Sequence, residues 1–319
     1  MRKSIIVNLF LVISSIIIGL ILAEGIVRLV KPYGTYGGGK ELKHMRNNLG
    51  DLSKLFTIAP DFGFRPILGN KFYNEFGTKI NNYKIPKKTN ITRLLFIGDS
   101  VTARGKIIDA LKDIYGNNYE YWNAGVESFN TIQEVNFYKQ YNHRIKPDHV
   151  ILTFSINDFE TTPVAFFNSD KKLVVYQTNK PSKNIDPWLF KNVYLYRLLI
   201  GLTTFGSKNL NTIANEIRYS LKELRDILKK DDISFTVLIH PSLKPYDQWK
   251  EKDKMSRKNI IQILNDLSIQ HYDFLNVLQE AIKHNVNIQE NKGDSAHPSN
   301  EIARLYALYL FKEGLLKRE

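Results

Sequence analysis

No cysteine occurs anywhere in the 319 residues, so a disulfide framework and a thiolate metal site are both excluded. Acidic side chains are outnumbered: 32 Asp and Glu stand against 45 Lys and Arg, a formal charge of +13. The excess is not organised for nucleic acid, because no RNP aromatic pattern, zinc-finger spacing or basic helix can be read. Nucleic acid is therefore not an expected partner. A basic surface near anionic lipid or an acidic polymer fits the charge better. His143 and His149 are six residues apart with no carboxylate placed to complete a metal site, so neither a metal nor another cofactor is expected. No internal repeat is visible. Apolar residues nevertheless reach 43%, enough for a sizeable core in one large domain or two ordinary ones.

One long uncharged run exists, at residues 5–23 (IIVNLFLVISSIIIGLILA). At ~1.5 Å per residue it covers roughly 28 Å, close to the hydrocarbon core of a bilayer. Arg2 and Lys3 precede it, which holds the N-terminus in the cytoplasm and exports the rest. Arg28, Lys31, Lys40, Lys43 and Arg46 lie on the far side and weaken that bias. Ile21-Leu22-Ala23 is a poor cleavage site, and the run exceeds a usual signal-peptide core. The apolar pattern also continues through Ile26, Val27, Leu29 and Val30 to Pro32. An uncleaved single-pass anchor over 1–32 is expected, touching the bilayer through residues 5–23, with the remainder extracytoplasmic.

Gly34–Lys40 (GTYGGGK) imitates a phosphate-binding loop, but Glu41 stands where Ser or Thr is needed and no strand precedes it. It reads as a flexible linker, and 33–90 as linker plus an irregular lead-in. From residue 92 strand and helix alternate. Strands are expected at 93–98, 119–123, 149–155, 233–240 and 272–277. Helices are expected at 105–115, 130–143, 208–230, 252–268 and 300–316. This alternation predicts an α/β domain over 91–319, with a parallel sheet covered by helices on both faces. Residues 158–205 interrupt it and are too long for a simple connection. They read as an insertion over the site, with a hairpin from Phe166 to Tyr176 turning at Asn168–Lys171.

The first strand, Leu94 to Ile97, has no polar break and is closed by Gly98-Asp99-Ser100. Such a run is a strand buried on both faces. Its C-terminal end is where open α/β sheets build their sites. Asn123-Ala124-Gly125 ends the second strand, Asn157 follows the third, and Gly293-Asp294-Ser295-Ala296-His297-Pro298 follows the last. These groups converge on one sheet edge, and each has a chemical use. Ser100 Oγ is a nucleophile once a base takes its proton. His297 can be that base. Asp294 can fix the imidazole tautomer. The Ser100 and Gly125 N–H groups and the Asn157 amide can face an oxyanion. No Gly-x-Ser-x-Gly elbow surrounds Ser100, which argues against an ordinary α/β-hydrolase. His240 ends the fourth strand on the same edge, with either a substrate contact or a packing role open to it. Asp158 is placed to brace the loop.

In these four blocks, Ser100, Gly125, Asn157 and His297, the sequence resembles the SGNH (GDSL) hydrolase superfamily. The resemblance covers about residues 92–316. It implies a flavodoxin-like α/β/α sandwich with a central parallel sheet, here preceded by one transmembrane helix. It departs at Ser155, where the family's third block usually has glycine. Members include esterases, lipases, carbohydrate deacetylases and acyltransferases. The anchor and lead-in look like membrane-attached bacterial members linked with surface polysaccharide. The expectation is a serine esterase that removes an O-acyl, best an O-acetyl, group from an extracytoplasmic glycan. The rivals are an O-acyltransferase and a catalytically idle glycan-binding or assembly factor. Within the insertion, Trp188 is the best candidate to stack on a sugar ring. Nothing in the sequence speaks to oligomeric state.

Overall fold

The computed structural model describes residues 2–30, 40–42, 50–178, 184–202 and 210–316. The linker expected at Gly34–Lys40 lies outside these residues apart from Lys40. In chain order the elements are α1 (Arg2–Val30), β1 (Lys40–Glu41), β2 (Phe56–Ala59), β3 (Gly63–Pro66), β4 (Thr92–Gly98), α2 (Ser100–Ala103) and α3 (Lys106–Tyr115). There follow β5 (Tyr119–Asn123), α4 (Thr131–Gln140), β6 (His149–Ser155), β7 (Val164–Phe167), β8 (Leu173–Gln177), α5 (Pro187–Asn192) and α6 (Tyr194–Leu202). The chain closes with α7 (Leu210–Lys230), β9 (Ser234–His240), α8 (Glu251–Asp266), β10 (Gln270–Asp273), α9 (Leu275–Lys283) and α10 (Asn300–Lys312). They fall into two compact units. One comprises Met1–Ser53, Ile58–Phe64 and Thr161–Lys208; the other comprises Lys54–Thr57, Arg65–Glu160 and Asn209–Glu319.

The larger unit is built on a five-stranded sheet in the order β10-β9-β6-β4-β5, with every neighbouring pair parallel. Counted along the chain this is 2-1-3-4-5, the flavodoxin-like order, whose winding reverses between β4 and β6. The unbroken apolar runs follow from coverage of both faces. Leu95, Ile97, Leu152 and Ile239 pack with Val135 of α4, Ile217 and Leu221 of α7 and Ile260 of α8. Leu94, Phe96, Ile151 and Leu238, pointing the other way, pack with Leu111 of α3, Leu278 of α9 and Tyr306 of α10. The period-two alternation of a strand thus feeds two cores.

Four strands lie within a residue of their expected bounds. The fifth does not: the strand expected at 272–277 is Gln270–Asp273, and α9 begins at Leu275. Asp273 Oδ1 accepts the Leu275 N–H at 3.0 Å, and Phe274 already has helical dihedrals. The apolar residues beyond it, Leu275, Leu278 and Ala281, are buried at helical spacing. The helix expected at 300–316 stops at Lys312, and Gly314 (φ 75°) turns the chain out.

In the smaller unit, β7 and β8 form the expected hairpin, and β8 also pairs with β1. Its turn is held by Asn168, whose Oδ1 accepts the N–H of Asp170 and Lys172. Val164, Phe166, Ile185, Phe190 and Ile200 make a small core. Thr161–Lys208, which overlaps the insertion expected at 158–205, belongs to this unit. Its N-terminal helix α1 is long and apolar enough, over Ile5–Val30, to cross a membrane.

Candidate active site

β4 and β6 end side by side at the point where the winding reverses, which leaves a crevice above their C-termini. Gly98 closes β4, and a Cβ there would lie 2.2 Å from Thr102 Oγ1, so only glycine allows the chain to fold straight into α2. Asp99 caps that helix, its Oδ1 accepting the Val101 N–H at 2.9 Å. Ser100 is the first residue of α2, where a helix has no internal acceptor for its N–H.

His297 Nε2 lies 2.8 Å from Ser100 Oγ, and His297 Nδ1 lies 2.7 Å from Asp294 Oδ2. An ionised carboxylate only accepts, so Nδ1 carries the proton and Nε2 is left to accept from the serine. Asp294 Oδ1 accepts the N–H groups of Ala296 at 3.0 Å and His297 at 3.1 Å. Partial burial pushes the Asp294 carboxyl up, but these N–H groups and the imidazole outweigh it and leave it below the ordinary value. Asp294 is therefore ionised at neutral pH.

The loop that carries Asp294 and His297 is pinned from beneath. The Leu243 N–H donates to Ser295 O at 2.9 Å, and His240 Nε2 donates to Ala296 O at 2.8 Å. His240 is buried, and burial lowers its pKa to about 4. It is a neutral brace for the loop, which decides between the two roles open to it in the sequence.

Gly125 is laid against the backbone of α2: a Cβ would lie 2.2 Å from Ala103 N. Its N–H donates to Asn123 Oδ1 at 2.9 Å, and Asn123 Nδ2 donates to Thr102 O at 2.8 Å. The Gly125 N–H therefore differs from the free oxyanion donor expected: in this structure Asn123 holds it. Asn157 is exposed on a 3-10 turn directly after β6. Ser155, the departure from the family pattern, has φ −90° and ψ 145°. These are ordinary extended dihedrals that need no glycine. Asp158 braces the turn as expected, its Oδ2 accepting the Ser155 N–H at 3.0 Å. Trp188 stands 67% exposed on α5 in the smaller unit.

Several groups escaped the sequence reading. Glu290, near the loop of Asp294 and His297, pairs with Arg104 and with Lys106 (2.9 Å), and Arg104 also lies 3.9 Å from Glu127. Glu290, Asp294 and His297 bring ligand atoms within 4.8 Å of one another, a spacing a cation would accept. Glu290 is already matched by two cations, however, and Asp294 by His297. Beneath the site lie three buried carboxyls, Asp99, Glu134 and Asp158. Burial raises all three, and their proximity raises Glu134 and Asp158 further, well above the ordinary range. Neither oxygen of Glu134 has a hydrogen-bond partner among the described residues.

Glu134 thus keeps in the folded state a proton that the unfolded chain releases near pH 4.5. An acid whose folded pKa is raised costs stability progressively as pH climbs above its unfolded value. Glu134→Gln keeps the shape and removes the titration. The variant is expected to gain thermal stability over the wild type at pH 8 and to gain less at pH 5. Melting curves that stay parallel between these two pH values would show Glu134 to be ionised and solvated.

The sheet order defines a parallel α/β protein, and Ser100, His297 and Asp294 form a hydrogen-bonded chain at the C-terminal edge of its sheet. No family model matches the chain, and no curated protein matches it. Among solved structures it is similar to an acetylxylan esterase from Geobacillus stearothermophilus, with 15% identity and a TM-score of 0.47. That alignment covers 72% of this chain and 98% of the esterase. It is also similar to an enzyme from the metagenome of Lake Arreo described as an alpha/beta hydrolase. There the identity is 14% and the TM-score 0.47, over 71% of this chain and 97% of that one.

Proposed function

We propose that the protein is a serine esterase of the SGNH (GDSL) type, held in a membrane by α1, that removes an O-acetyl group from a glycan outside the cytoplasm. The observation that carries the reading is the continuous hydrogen-bonded chain Ser100 Oγ, His297, Asp294. In the reaction, Ser100 Oγ attacks the acyl carbonyl while His297 Nε2 takes its proton. Asp294 holds the imidazolium that forms. The oxyanion is met by the Ser100 N–H and the Asn157 amide, with the Gly125 N–H joining when it turns from Asn123. His297 returns the proton to the sugar oxygen as the C–O bond breaks. Water, deprotonated by the same imidazole, then releases acetate from Ser100.

The direct test is turnover of an aryl acetate and of acetylated xylo-oligosaccharide by the full chain, with fluorophosphonate labelling at Ser100. Release of acetate from both substrates is expected. Acetyl transferred to added oligosaccharide faster than free acetate appears would make the protein an acyltransferase instead. No label and no turnover would leave the idle binding factor.

The orientation of α1 has its own test. The chain has no cysteine, so Gly38→Cys introduces a single thiol. An impermeant thiol reagent is expected to label it on intact cells, or on spheroplasts where an outer membrane intervenes. Labelling only after lysis would place the substrate in the cytoplasm.

A further inference from the structure

The smaller unit carries an apolar face that its own core does not use. On α6, Arg197 and Ile200 are buried and Tyr196 half-buried, packing with Phe166, Tyr176 and Phe190. Leu195, Leu198, Leu199 and Leu202 recur at i, i+3, i+4 and i+7, a second helical stripe of which Leu195 and Leu198 are half-buried. Leu199 is 50% exposed and Leu202 55%. On the preceding helix, Trp188 is 67% exposed.

The position of α6 along α1 identifies the occupant. The two helices pack together, and on α1 the covered stretch is its C-terminal end: Val27 is buried and Ala23, Glu24 and Gly25 are partly covered. Glu24 Oε1 accepts the Tyr194 N–H at 2.9 Å, and Oε2 accepts the Leu195 N–H at 2.7 Å. Arg28 pairs with Glu24 at 2.7 Å, donates to Asn192 O at 2.6 Å and lies 4.7 Å from the centre of the Tyr194 ring. Glu24, the first charge beyond the apolar run, therefore satisfies the N-terminus of α6, and Arg28 satisfies the last carbonyl of α5, as helix ends in an apolar setting require. About 20 residues cross the hydrocarbon core. An α1 that enters at Ile5 thus leaves near Glu24, at the level where α6 begins. Tryptophan is enriched at that level, and a helix with one apolar face outward lies in the interface.

We infer that α6 and Trp188 form a second contact with the bilayer, an interfacial helix seated on the lipid surface where α1 leaves it. The inference rests on α1 spanning the membrane. Glu24 and Arg28 stand where α1 leaves the hydrocarbon, and this docking pairs them and uses both. The smaller unit is then fixed to the membrane by two helices instead of swinging on one.

The chain's own tryptophans supply the probe. Of the three, Trp122 (1% exposed) and Trp249 (4%) are buried, which leaves Trp188 as the responsive one. The full chain is reconstituted in phosphatidylcholine vesicles with lipids brominated near the headgroup or deep in the acyl chain. Part of the emission should be lost, more with shallow bromine than with deep, and the loss should vanish in Trp188→Phe. Leu199→Cys, the sole thiol, carrying an environment-sensitive dye, should shift to the blue and be quenched by the same lipids. Unquenched emission and dye, in vesicles that retain the protein through alkaline carbonate, would overturn the contact while leaving the anchor standing. Release by carbonate would overturn the anchor and the contact together. A response of Trp188 to acetylated xylo-oligosaccharide without any response to brominated lipid would assign it to the glycan.

Discussion

Ser100→Ala and His297→Ala are each expected to lower kcat on an aryl acetate by on the order of 10⁶, the scale seen when one member of a serine triad is removed elsewhere. The two losses should be alike and should not add in the double variant, because the groups act as one unit. Without Ser100 Oγ there is no acyl-enzyme. Without His297 the hydroxyl, 2.8 Å away in the wild type, keeps its proton and is a poor nucleophile. Both side chains are only partly buried, so neither change should unfold the protein. Asp294→Asn should cost less, because the imidazole can still act once correctly turned. Asp294 also holds two backbone N–H groups, so some of its loss should appear as a looser loop. A Ser100→Ala protein that retained a tenth of wild-type turnover would sink the nucleophile assignment.

Asn157→Ala carries the second-largest expected effect. A missing oxyanion donor typically costs ~3–4 kcal/mol, about 10²–10³ in kcat, because the bond is made only in the transition state. KM should barely change. Asn157 is exposed, and its side chain helps to hold the buried Asp99 carboxyl, next to Ser100 in the chain, below where burial alone would place it. Truncation should therefore also make Asp99 easier to protonate. An unchanged kcat would show that Asn157 serves Asp99 alone.

Much of the larger unit can be read residue by residue. β4 and β6 are legible because both faces are covered, which forbids polar breaks and makes each strand an apolar run. β10 is misplaced because Phe274, Leu275 and Val277 extend its apolar character past the true end. What ends it is the Asp273 carboxylate accepting the N–H of Leu275, a contact no apolar pattern records. The loop departure at Ser155 is settled by its dihedrals; the residue name alone leaves it open. α6 lies in the stretch that the sequence marks only as an aromatic insertion, because its stripe of leucines is read as a surface only once the opposite face is seen to be buried.

The sequence by itself determined the parallel α/β alternation, the apolar N-terminal run and the set Ser100, Asp294 and His297. These depend on residue type and local spacing, and such signals survive without coordinates. Tertiary structure decided whatever depends on partners distant in the chain. It set the 2.8 Å approach of His297 to Ser100 and made His240 a brace. It turned the Gly125 N–H onto Asn123 and placed three carboxyls in the interior. Burial and hydrogen bonding are properties of a neighbourhood: an acid such as Glu134 looks the same in sequence whether water or protein surrounds it.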